Sequence, residues 1–144
     1  RQAKRLTDRH APVLEQRVLA SLIESGTYER HVRRMRRENE RRRAALLDAV
    51  ARYLPGNAQV GGTAAGLHVV LWLPSLRPKD EVHLVAAARQ VGVGVYPVST
   101  LFARPESAMP ARPAGFILGY ASLTLEQIQH GMQILGGLLA NGTR

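Results

Sequence analysis

The sequence contains no cysteine. That excludes disulfides, thiolate metal sites and cysteine nucleophiles, and it suits a reducing, cytoplasmic setting. Aromatic residues make up 5% of the chain, too few for the stacking platforms that hold single-stranded nucleic acid. Lysine occurs only as Lys4 and Lys79, so nearly all the positive charge is arginine. The longest apolar run, Leu67 to Leu73, contains His68 and stops at Pro74. It falls well short of the roughly 20 residues that cross a bilayer, so no membrane partner is expected, and no segment resembles a signal peptide. His10, His31, His68, His83 and His130 are scattered, and none form a pair at metal-binding spacing on one helix, so no metal site is expected. The glycine-rich stretch at 61–66 lacks the Lys and the following helix of a P-loop, and GVGV at 92–95 lacks the third Gly of a dinucleotide fingerprint. Ser99 and Thr100 lie in no G-x-S-x-G elbow. No catalytic residue can be assigned.

What is present is a chain of 144 residues with 45% hydrophobic composition, enough for one domain with a core. A net charge of +9 and a pI near 11.2 raise a nucleic-acid hypothesis. The charge is concentrated in the stretch that organises the chain, Tyr28 to Leu54. This stretch has no Gly or Pro and is rich in Ala, Leu, Arg, Glu and Met, which predicts one long helix. Thr27 is the expected N-cap, with Arg30 where a capping box would place Glu, and Pro55-Gly56 is the expected stop. Tyr28, Val32, Met35, Asn39, Leu46, Val50 and Tyr53 fall on one stripe, and most arginines point elsewhere. Glu29–Arg33 and Glu38–Arg42 have the spacing of helical ion pairs. A solvated face is the simplest reading of those arginines; contact with another domain or with nucleic acid are the alternatives.

Ahead of this helix, Val13 to Ile23 carries Val13, Leu14, Val18, Leu19, Leu22 and Ile23 at helical spacing, an amphipathic helix that needs a packing partner. Behind it, Ala58 to Thr63 is a weak strand and Gly66 to Leu73 a strong one, whose near-continuous apolar character predicts cover on both faces. Within that run His68 is expected to be a hydrogen-bonded core residue. Pro78 to Val91 predicts a helix with Asp80 and Glu81 at its positive end and Val82, Leu84, Val85 and Ala88 facing inward. Val93 to Tyr96 begins another strand. A proline-rich loop, Pro97 to Ala114, follows; a loop of this length is usually functional. Gly115 to Tyr120 is a buried strand, and Leu125 to Leu139 a last helix with Thr124 as N-cap and Gln127 completing a capping box. The chain opens on Arg1, already in a helical pattern, and ends in GTR as a C-terminus would. It reads as a piece of a longer protein.

The order of a long helix, AGLHVVLWLP, a helix, VGVGVYPVSTLF, a proline-rich loop, GFILGYA and a final helix resembles the C-terminal small domain of fold-type-I pyridoxal-phosphate aminotransferases. The segments DRHAPVLEQRVLASLIESGTYERHVRRMRR, GLHVVLWLP, VGVYPVS and ILGYASL are similar more closely to MocR/GabR-type regulators of the GntR family. In these a winged-helix DNA-binding domain precedes an aminotransferase-like domain. The resemblance implies an α/β (α+β) fold with 1–27 ending the large domain, 28–54 as the interdomain helix and 55–144 as the small domain. It implies pyridoxal phosphate in the intact protein, with the Schiff-base Lys and phosphate cup upstream, so that this piece alone is expected to bind none and to be inactive. Lys4, in RQAKR, lacks the family's lysine context. The implied partners are the upstream large domain, a second copy in a homodimer, and DNA through a missing N-terminal domain. By analogy Ser99, Thr100 and Phe102 line the substrate or effector side. At the position of the family's carboxylate-binding Arg the chain has Ile117, which cannot form a bidentate pair, so effector sensing is favoured over transamination. Asn39 stands where these regulators usually have Tyr.

Overall fold

The computed structural model describes residues 12–54, 56–64, 66–102 and 111–142. Lys4 and the middle of the proline-rich loop lie outside them. Two compact units are present, residues 1–38 and 39–144, with the long helix running from one into the other.

In the first unit, helix α1 (Val13–Glu24) buries no residue. Its apolar side chains Val13, Leu14, Val18, Leu19, Leu22 and Ile23 are all exposed. Ser25 and Gly26 turn the chain, and Gly26 adopts φ 68°, a left-handed conformation that costs glycine nothing. Helix α2 (Thr27–Tyr53) then begins. Its N-cap is one residue earlier than the sequence suggests. The amide of Arg30 donates to the carbonyl of Gly26, which leaves Thr27 as the first helical residue. Thr27 Oγ1 instead accepts from Arg30 Nη2 at 3.0 Å.

The second unit is a four-stranded sheet with helices packed on it. Strands β1 (Gln59–Gly61), β2 (His68–Leu73), β3 (Tyr96–Pro97) and β4 (Ala114–Gly119) lie in the order β1-β2-β4-β3, every pair antiparallel. Along β2, Val69, Leu71 and Leu73 are buried; opposite them on β4, Leu118, Phe116 and Ala114 are buried too. Leu46, Ala49 and Val50 of α2, Ala88 of α3 (Glu81–Gln90), and Ile128, Met132, Leu135 and Leu139 of α4 (Leu125–Gly142) complete the core. Each fully buried leucine contributes about 1.5–3 kcal/mol relative to exposure. Tyr120 is buried and its hydroxyl donates to the Gly66 carbonyl at 2.8 Å, tying the end of β4 to the start of β2. The Arg42 guanidinium donates to the Ala121 carbonyl, and that of Arg43 to the Thr63 carbonyl, so two of the helix arginines are fastened to the body. The Thr124–Gln127 capping box is present: Gln127 N–H donates to Thr124 Oγ1 at 3.2 Å and Thr124 N–H to Gln127 Oε1 at 2.9 Å.

Three further expectations are corrected. β2 is buried on one face only: Val70 and Trp72 are half-buried and His68 is exposed, so His68 is not a core residue. An apolar run shows that a strand is central but not what covers each face, and antiparallel sheets often pack on one side. The Pro78–Val91 helix is in fact a 3-10 turn over Pro78–Asp80 followed by α3. With the α-helix starting at Glu81, the inward positions are Glu81, Leu84, Val85 and Ala88. Val82, about 100° round the helix from Glu81, is 64% exposed. The strand expected from Val93 pairs only at Tyr96 and Pro97. Pro97 has no N–H to continue the ladder, and the chain turns into a 3-10 segment, Val98–Leu101.

Candidate functional site

The sheet face away from the core carries His68, Val70 and Trp72 from β2, Gly115, Ile117 and Gly119 from β4, and Tyr96 from β3. Register places Val70 and Tyr96 on either side of Ile117. Ile117 is half-buried there and Tyr96 is 67% exposed. Trp72 packs against Gly115, where a Cβ would stand 2.5 Å from the indole and 3.0 Å from Val98 Cγ2. Only glycine admits the ring. Because Val98 touches this position, the Val98–Leu101 segment starts on the same face as Ile117. The structure therefore brings the start of the Val98–Leu101 segment and Ile117 to one side of the sheet.

Of those candidates, Thr100 is exposed, with its hydroxyl donating to the Pro97 carbonyl at 2.9 Å. Phe102 is 39% exposed. Ser99 is half-buried and is held through its backbone rather than its hydroxyl, the amide donating to Glu81 Oε2 at 2.9 Å. Glu81 is fully buried, and its other oxygen accepts from the Gly115 amide at 2.9 Å and from Arg112 Nη1 at 2.6 Å. Arg112 Nη1 also donates to the Pro113 carbonyl, and the guanidinium sits over the Phe102 ring, 5.0 Å from its centroid. Burial pushes the Glu81 carboxyl up, but the donors at Ser99, Arg112 and Gly115 outweigh it and hold the group below its ordinary range.

Neither Glu81 nor Arg112 is a site candidate in the sequence reading. Glu81 looks like one of two acids complementing a helix N-terminus, and only Asp80 is left in that role, accepting from the Arg77 amide at 2.9 Å. Arg112 looks like a loop residue between prolines. No local pattern marks either; the fold brings them together from 31 residues apart.

Pyridoxal phosphate finds no fitting site among the described residues. Lys79, the one described lysine, is exposed in a 3-10 turn. An imine-forming lysine needs a shaped, desolvating pocket. The cleft between β4 and α4, lined by Leu46, Val95, Leu118, Ile128, Met132 and Leu135 among others, is apolar and offers neither a phosphate cradle nor a partner for a ring nitrogen. Among the described residues no group of acids and histidines is arranged to hold a metal, and no helix is long and apolar enough to cross a membrane.

No model of a known protein family matches the chain. It is 34% identical over 120 residues to the HTH-type transcriptional regulator YhdI of Bacillus subtilis, a match covering 83% of this chain and 24% of that protein. Among solved structures, LysN, the α-aminoadipate aminotransferase of Thermus thermophilus complexed with N-(5'-phosphopyridoxyl)-L-leucine, superposes with a TM-score of 0.73 at 30% identity. That match covers 97% of this chain and 35% of the other. The kynurenine aminotransferase of Pyrococcus horikoshii superposes with a TM-score of 0.83 at 21% identity, over 99% of this chain and 33% of that one. The chain has the fold of part of an aminotransferase and shares sequence with an HTH-type regulator. It spans about a quarter of the regulator it matches and a third of the enzymes. Within the second unit, the Glu81 cluster fixes the turn that follows β3, and Ile117 sits beside that turn.

Proposed function

We propose that this small domain is the C-terminal part of the effector-sensing, aminotransferase-like region of a pyridoxal-phosphate-dependent, MocR-type transcriptional regulator. The observation that carries the proposal is the similarity to an HTH-type regulator over most of the chain, and Ile117 supports it. A carboxylate clamp needs a guanidinium fork, and the face around Ile117 offers Val70, Trp72 and Tyr96 instead. Ser99, Thr100 and Phe102 are the proposed effector-side residues, held in place from behind by Glu81.

In this reading residues 1–27 end a large domain upstream, 28–54 form the interdomain helix and 55–144 the small domain. The exposed apolar face of α1 packs on that large domain. The intact protein is a cytoplasmic homodimer that binds pyridoxal phosphate through upstream residues and DNA through an N-terminal winged-helix domain. A second reading, the small domain of a working aminotransferase, is favoured by the 30% identity to LysN. The two separate on the intact protein. The regulator reading expects DNA affinity that changes when an amine effector is added, with little turnover of amino acid and keto acid. Steady transamination with no DNA binding would establish the enzyme instead.

A further inference from the structure

The basic half of α2 remains unexplained by the small-domain reading. Between Tyr28 and Arg43 stand eight arginines and three glutamates. Arg42 and Arg43 are used to hold the second unit together. The first-unit arginines are not used in this way. Arg30, Arg33, Arg34 and Arg37 are all exposed and follow i, i+3, i+4, i+7 spacing, which sets them within about 100° of one another on the helix and along about 10 Å of its axis.

Three details make this row more than a solvated face. First, Thr27, Arg30, His31 and Arg34 line an open concavity. Its walls are pre-set: Arg30 donates to Thr27 Oγ1 and to the Ser25 carbonyl, and Arg34 Nη2 lies 3.4 Å from His31 Nδ1. Second, acid neutralises little of it. Arg33 pairs with Glu29, but both side chains are about two-thirds exposed, so the pair is weak and exchangeable. Arg37, like Arg36 beside it, has no hydrogen-bond or ion-pair partner among the described residues. Third, the row points away from apolar surface. Tyr28, Val32 and Met35 lie about 180° round the helix from it. A neighbouring domain that covers the apolar side leaves the arginines in water.

We infer that the Arg30–Arg33–Arg34–Arg37 row of α2, with its Thr27–Arg30–His31–Arg34 concavity, is a sequence-independent contact for the phosphate backbone of duplex DNA. Guanidinium forks match phosphate oxygens two at a time, which an ammonium does not, and the row is built from arginine alone. Duplex is favoured over single strand because the surface carries no set of aromatic rings on which to stack bases. The contact positions and adds affinity but reads no sequence. This inference goes beyond the regulator reading, in which DNA is gripped by a different domain, and it can fail while that reading stands.

The test uses the 144-residue chain and a short labelled duplex of arbitrary sequence, followed by anisotropy as salt is raised. Four phosphate contacts give a slope of about −3.6 in log K against log salt, a loss on the order of a hundredfold between about 50 and 200 mM. Replacing Arg30, Arg33, Arg34 and Arg37 together by Gln should cut affinity at low salt at least tenfold and flatten most of the slope. Replacing Arg52, Arg77, Lys79 and Arg89, which removes the same formal charge from the second unit, should leave both nearly unchanged. Arg37→Gln alone, at an exposed and unpartnered position, should lower the slope by about one and serves if the fourfold variant does not fold. Equal losses from the two fourfold variants would reduce the effect to net charge and overturn the inference. So would polyglutamate competing as well as unlabelled duplex, which would point to an acidic protein surface instead.

Discussion

Arg112 donates to Glu81 at 2.6 Å across 31 residues of chain, with the arginine side chain 13% and the carboxylate 0% exposed. The same carboxylate holds the amides of Ser99 and Gly115, so one buried charge fastens the turn after β3, the entry to β4 and the first turn of α3. Removing one partner of such a pair strands the other, which costs more than the pair itself contributes. Glu81→Ala should therefore destabilise the domain by about 3–5 kcal/mol, read as a shift in the urea midpoint, and Arg112→Ala should act in the same direction. A loss below about 0.5 kcal/mol for Glu81→Ala would show that the cluster does not hold the turn.

The pH dependence follows from the same contacts. Because Glu81 titrates lower in the folded chain than its ordinary value of 4.5, its contribution is complete above that pH and is lost as pH falls through the lower, folded value. Asp80 is lowered too, chiefly by the Arg77 amide, and its contribution is lost only below its own ordinary value of 3.8. Melting temperature should fall on acidification below about pH 4.5. The decline should be shallower in Glu81→Gln and close to wild type in Asp80→Asn. An acid limb unchanged by Glu81→Gln would assign it to other groups.

Neighbouring glycines of α4 should respond in opposite directions. A Cβ on Gly136 would stand 2.3 Å from the Tyr53 carbonyl oxygen, where α4 and α2 touch backbone to backbone, and one on Gly137 would meet nothing within 4 Å. Gly136→Ala should cost about 1–3 kcal/mol despite alanine's better helix propensity. Gly137→Ala should gain up to about 1 kcal/mol. Thermal unfolding of the two variants checks the helix contact directly, and equal shifts would refute it.

Ile117 tests the effector reading in the intact, cofactor-loaded protein. Ile117→Arg places a guanidinium on the sheet face, where a charge-assisted bond to a carboxylate is worth about 1.5–3 kcal/mol. Affinity for an amino acid should rise on the order of tenfold or more over that for the matching amine lacking the carboxylate. No change in that preference would place Ile117 away from the effector.

His68 offers a simple check on the corrected sheet face. As an exposed strand residue it should tolerate His68→Ala within about 0.5 kcal/mol, whereas a hydrogen-bonded core histidine would not.

Much of this fold was legible along the chain because local rules suffice for it. The long helix, the Thr124–Gln127 cap and the apolar faces of β2 and β4 follow from propensity, side-chain spacing and period, which depend on residues a few places apart. What the linear chain determined is the order of the main helices and strands, that α1 carries an apolar face, that the charge is arginine gathered on one helix, and that position 117 holds no guanidinium. The tertiary structure alone decided that β2 is covered on one side, that His68 and Val82 face outward, and that Glu81 faces inward. It also decided that Glu81 meets Arg112 and the amides of Ser99 and Gly115. Those outcomes depend on which face a neighbouring element covers and on where the first α-helical turn begins. Three residues wound as a 3-10 turn advance about 120° each where an α-helix advances about 100°, so the helix that follows is turned by about 60° from an all-α reading.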